Sequence, residues 1–61
     1  MPKLVKFTTD IDAENVTAVV ENDKPGCVIH FYDKDKDTVC FVQVREDIKT
    51  ATEAIVRKRN E

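Results

Sequence analysis

Cys27-Val28-Ile29-His30-Phe31-Tyr32 and Thr38-Val39-Cys40-Phe41-Val42-Gln43-Val44, joined by Asp33-Lys34-Asp35-Lys36-Asp37, decide the fold of this chain. Both arms are rich in β-branched and aromatic side chains, which fit a pleated surface better than a helix. The charged segment between them is short enough to close a hairpin. No Asn-Gly or Asp-Gly fixes the turn type, so the register carries an uncertainty of one residue. The most symmetrical choice opposes Asp33 with Thr38. It then pairs Phe31 with Cys40, Ile29 with Val42 and Cys27 with Val44.

On the N-terminal side, Asn22-Asp23-Lys24-Pro25-Gly26 reads as a turn, with Pro presetting φ at one corner and Gly free at the next. Asn15-Val16-Thr17-Ala18-Val19-Val20-Glu21 is ambiguous. Val16, Ala18 and Val20 alternate as in a strand, while Val16, Val19 and Val20 fit a helical face. Three valines and a threonine favour the strand. Asp10 to Asn15 reads as a polar connector with one apolar anchor, Ile11, and Lys3 to Thr9 as a first strand.

On the C-terminal side, Glu46 to about Lys58 reads as a helix. Asp47 can cap it, or Thr50 with Glu53 can form a capping box one turn later. Ile48, Ala51, Thr52 and Ile55 form its apolar stripe. Glu46 and Asp47 suit the positive end of the helix dipole, and Arg57-Lys58-Arg59 the negative end. The expected fold is α+β: a small antiparallel four-stranded β-meander with one C-terminal α-helix packed on one face, ordered β-β-β-β-α, in a single domain over residues 1–61.

Sixty-one residues, 41% apolar and 36% charged, leave room for one thin core and hardly any for an enclosed active site. The apolar set contains nine Val and four Ile but one Leu and no Trp, again favouring strands. A net charge of -2 and a pI near 5.3 disfavour nucleic-acid binding, which depends on neutralising phosphates. No apolar run approaches the roughly 18 residues of a membrane span, so no membrane partner is expected. Met1-Pro2-Lys3-Leu4 lacks the apolar stretch of an export signal, and the expected compartment is the cytoplasm.

Chemistry has little to stand on. In the hairpin register Cys27 and Cys40 are out of step by roughly 13 Å along the strands, beyond the reach of about 7 Å between Cα atoms that a disulfide allows. They read as small buried hydrophobes on the core face. Two cysteines and His30 do not make a structural zinc site. Asp33 to Asp37 superficially resembles the start of a calcium loop, but such a loop needs Gly sixth and Glu twelfth, where this chain has Thr38 and Val44. Arg57-Lys58-Arg59 is explained by the helix dipole and solubility. His30 has no serine or second histidine with which to build a nucleophile relay, and the single glycine excludes a phosphate loop. Accordingly no catalytic, cofactor-binding or metal-binding residue is assigned.

The most informative feature is the hairpin's second face. Cys27, Ile29, Phe31, Cys40, Val42 and Val44 point toward the helix. Val28, His30, Tyr32, Val39, Phe41 and Gln43 point the other way, where a solvated sheet would be polar. One short helix cannot cover both sides. Either the chain's own first strand covers this face or it is tolerated as surface, or it forms a homodimer interface, or it grips another molecule. Docking of a protein partner belongs to the last class. So does single-stranded nucleic acid, because sheet aromatics can stack bases. Cys40 to Val44 is only faintly similar to an RNP1 strand and lacks its basic residue and glycines.

The order of elements resembles that of the FlbD family of small proteins encoded among bacterial flagellar genes. The likeness runs from Leu4 to Val56. It rests on Ile11-Asp12 with Val16 and Val20-Glu21, on Val28-Ile29-His30-Phe31, and on Phe41-Val42-Gln43-Val44-Arg45-Glu46 leading into Ile48 and Ile55. The family's hairpin usually turns on a glycine, where this chain has Asp33 to Asp37. The same spacing is similar to the first half of LytTR DNA-binding domains. Membership in the FlbD family would imply a cytoplasmic, non-enzymatic accessory role.

Overall fold

The structure, a computed structural model, describes residues 3–61; Met1 and Pro2, part of the stretch read as lacking an export signal, lie outside the described residues. Its elements are β1 (Leu4–Lys6), β2 (Asp10–Asp12), a 3-10 turn (Ala13–Asn15), β3 (Val16–Glu21), β4 (Cys27–Asp33), β5 (Thr38–Val44) and α1 (Ile48–Arg59). The fold is α+β, with antiparallel strands and a C-terminal helix. Among the described residues the strands number five, in a two-stranded β1-β2 sheet and a three-stranded β3-β4-β5 sheet. The expected single four-stranded meander is therefore corrected.

The physical reason lies in residues 10–12. Asp10-Ile11-Asp12 alternates polar, apolar, polar, which is a strand at its shortest. Val5 opposes Ile11 across the β1-β2 hairpin, and Ile11 is buried. The first strand stops at Lys6, not at Thr9, because the chain must turn back to make this pairing. Ala13 donates its backbone N–H to Lys3 O at 2.8 Å, and Asp12 caps the 3-10 turn by accepting from Glu14 N at 3.0 Å. The segment read as a polar connector thus carries two core residues, Ile11 and Ala13.

The central hairpin adopts the expected register from Cys27↔Val44 to Asp33↔Thr38. Without a turn glycine, Asp33 closes the loop with its side chain, accepting from Asp35 N at 2.9 Å and Lys36 N at 3.4 Å. Asp37 takes the left-handed position, at φ 51°; Asp tolerates that conformation better than most side chains. Segment 16–21 is a strand, paired antiparallel to β4 with an irregularity between Val16 and Ala18. There Thr17 is the extra residue, its hydroxyl donating to His30 O at 3.3 Å.

One core results. Ile29, Cys27 and Val44 from the large sheet, Ile11 and Ala13 from the β2 segment, and Ala51 and Ile55 from the helix are all buried together. Val5, Phe7, Val16, Val19, Phe31, Val42 and Ile48 pack around them. Helix α1 lies against β3, the 3-10 turn and β1. Its inward line runs through half-buried Ile48, buried Ala51 and Ile55 and half-buried Lys58, and Thr52 is exposed, correcting the expected stripe. Lys3 ties the small sheet to the far end of the helix: its Nζ donates to Arg59 O at 2.8 Å and sits 3.4 Å from Glu14.

Asp47 caps the helix. Its carboxylate accepts from Thr50 N at 2.8 Å, so the cap is Asp47 rather than a Thr50–Glu53 box. The hydrogen bonds from Thr50 hold its carboxyl below the ordinary range, with nearby Lys49 adding to the effect. The folded pKa is depressed, so the cap's contribution is present above the unfolded value of about 3.9 and is lost as pH falls through the folded value. Asp47→Ala is expected to lower the melting temperature at pH 7, and the difference from wild type is expected to shrink on acidification below about pH 4. Thermal melts of both proteins across that range check it.

Candidate interaction face

Opposed residues on neighbouring antiparallel strands share a face. Val19-Ile29-Val42 and Glu21-Cys27-Val44 therefore face the helix, while Ala18-His30-Phe41, Val20-Val28-Gln43 and Tyr32-Val39 face the other way. All six residues singled out on the hairpin, Val28, His30, Tyr32, Val39, Phe41 and Gln43, come together on this second face. The β1-β2 hairpin does not cover it: Val5, Phe7 and Ile11 pack into the core on the helix side. The reading in which the first strand shields the face is thereby excluded.

The face is exposed where it is most apolar. Phe41 is 73% exposed, Val39 50% and Val20 44%. Most solitary surface apolar residues mean little. Here, however, seven apolar or aromatic positions adjoin on three strands: Ala18, Val20, Val28, His30, Tyr32, Val39 and Phe41. The His30 and Phe41 rings lie 5.8 Å apart, tilted by 35°, as a cross-strand aromatic pair. Tyr32 donates its hydroxyl to Asp37, which with burial and the Asp33 charge keeps the phenol above its usual pKa. That bond fixes the ring at the turn end of the face.

Gln43 has a different place. Its Oε1 accepts from Asn22 Nδ2, and its Nε2 donates to Pro25 O at 3.0 Å and Val44 O at 3.3 Å. The amide thus clamps the β3-β4 turn at the border of the face. Ala18 and Val20 belong to the face but were not visible from the chain alone. Strict alternation would put Val16 with them, whereas the extra residue Thr17 sends Val16 opposite Phe31 on the core side.

The cysteines are free thiols, Cys27 buried and Cys40 half-buried. Burial, followed by the charges of Asp47, Glu46 and Glu21, pushes the Cys27 thiol up, and its Sγ donates to Glu46 O at 3.4 Å. That thiol stays protonated and structural. A shallow open depression lined by Phe7, Thr8, Arg45 and Glu46 lies elsewhere on the surface and holds neither histidine nor cysteine. Among the described residues no three His, Cys, Asp or Glu side chains gather as a metal site, and no helix is long and apolar enough to cross a membrane. No protein-family model matches the chain, and no curated protein or solved structure matches it either.

Proposed function

We propose that this protein is a non-enzymatic interaction module that self-associates through the open face of its three-stranded sheet. The observation that carries the reading is Phe41, 73% exposed at the middle of β5 and flanked by Val39, His30 and Val28. Exposed contiguous apolar surface of this kind marks contacts, and its side chains carry no carboxylate or lysine that a second copy would have to strip of water. Packing one such face on its symmetry mate is an isologous contact, and it would enlarge a core that a chain of 61 residues can barely supply. The resemblance of the chain's hydrophobic spacing to the FlbD family would imply the same accessory, non-enzymatic role.

Val20 tests the face from its far side, on β3. Sedimentation across the micromolar range should show a wild type larger than a monomer, and Val20→Asp should weaken the face contact at least tenfold. A Val20→Asp variant that assembles like wild type would remove the face from the interface. Docking of single-stranded nucleic acid on the same aromatics is the second reading, favoured only by the His30–Phe41 ring pair. A gel shift at low salt decides it, since absence of binding there excludes a phosphate-driven contact.

A further inference from the structure

We propose that β5 pairs edge to edge with β5 of a second copy, antiparallel about a two-fold axis at Phe41, extending the three-stranded sheet to six strands. Among the described residues both edges of the sheet lack a strand neighbour, but only one edge is defended. The β3 edge has the irregularity at Thr17, ends on Glu21 and has α1 alongside. Such features block pairing with another chain. The β5 edge, Thr38-Val39-Cys40-Phe41-Val42-Gln43-Val44, runs seven residues with no charge, no proline and an unbroken register. An open strand of that kind is a template for a further strand.

A second copy fits because the strand complements itself. With the axis at Phe41, Cys40 opposes Val42 of the second copy, Val39 opposes its Gln43, and Thr38 opposes its Val44. One residue past the strand ends, Asp37 opposes Arg45 of the second copy. Symmetry repeats this oppositely charged pair. Neither charge makes an ion pair within the chain among the described residues, Asp37 accepting only from the Tyr32 hydroxyl there. Moving the axis to Cys40 sets Asp37 against Gln43. Moving it to Val42 sets Val39 against Arg45. Both alternatives lose the charge match, so the register is specified by charge as well as by hydrogen bonding.

An axis through a residue keeps both open faces on the same side, with the two Phe41 rings adjacent. Two such six-stranded sheets packed open face to open face would form a tetramer with perpendicular two-folds. The tetramer rests on the face contact proposed above; the edge pairing does not.

Sedimentation of wild type and Val20→Asp, with a short bis-maleimide as thiol cross-linker, separates the two contacts. Cys40 points to the helix side. Edge pairing brings it diagonally to its copy at about 7–8 Å, whereas face-to-face packing turns the two thiols away from each other across both sheets. The expected result is a Val20→Asp dimer that cross-links, with the cross-link lost in Cys40→Ser. Arg45→Glu should weaken that dimer by roughly five- to tenfold. Val20→Lys repeats the test with the opposite charge should the Asp variant not fold. A monomeric, uncross-linked Val20→Asp beside an associating wild type would overturn the edge and leave the face. A cross-linking wild-type dimer indifferent to Val20→Asp would support the edge and remove the face. A wild type monomeric throughout overturns both.

Discussion

Gly26→Ala is expected to remove about a third or more of the folding stability of the protein. Gly26 has φ 93°, a conformation that an L side chain adopts only under strain. A Cβ built there would stand 1.9 Å from Val44 O and 2.9 Å from Val44 C, both backbone atoms that no side-chain rotation can move. Val44 pairs with Cys27, the next residue, and both are buried in the core. Relieving the clash must therefore prise apart the inner end of the β4-β5 pair where it joins the core. The conformational strain alone costs about 1–3 kcal/mol, and displacement of the strand adds to it, for a total of about 3 kcal/mol or more. A domain of this length has only about 3–9 kcal/mol of stability to lose. Urea denaturation should show the loss; a cost below about 1 kcal/mol would contradict the close approach.

That glycine was legible in the chain as a turn residue, but its reason was not: the nearness of Val44 O is a tertiary fact. The same division runs through the rest of the fold. The β4-β5 register could be read because both arms are strongly β-forming and flank a loop in which Asp33 and Thr38 balance. Strand β2 was hidden because two aspartates surround its one apolar residue, and the partner that makes it a strand, Val5, lies six residues away. Thr52 was placed on the buried stripe because i, i+4 spacing from Ile48 permits it. In the structure the line follows Ile48, Ala51, Ile55 and Lys58 instead. Of the candidate face, the hairpin half was readable from period-two alternation. The β3 half was not, because the extra residue at Thr17 shifts the phase mid-strand.

Phe41→Asp carries the second large effect, on association rather than folding. The ring is mostly in water in the single chain, so its removal should leave the melting temperature within a few degrees of wild type at concentrations where wild type is itself dissociated. In the assembly it lies at the centre of the open face and on the proposed β5 axis, where two aspartates would be directly opposed. Truncating a central aromatic anchor typically costs 2 kcal/mol or more, and opposed like charges add to that. The dissociation constant should rise by at least a hundredfold, about 3 kcal/mol. Phe41→Tyr, which keeps the ring and adds one hydroxyl, should retain most of the association.

The most direct test of self-association through the apolar face is therefore sedimentation equilibrium of wild type and Phe41→Asp side by side, from low to high micromolar concentration. The face predicts a wild type heavier than the 7.0 kDa chain and a folded Phe41→Asp at monomer mass. A wild type at monomer mass throughout that range, or a Phe41→Asp that assembles as wild type does, would contradict it.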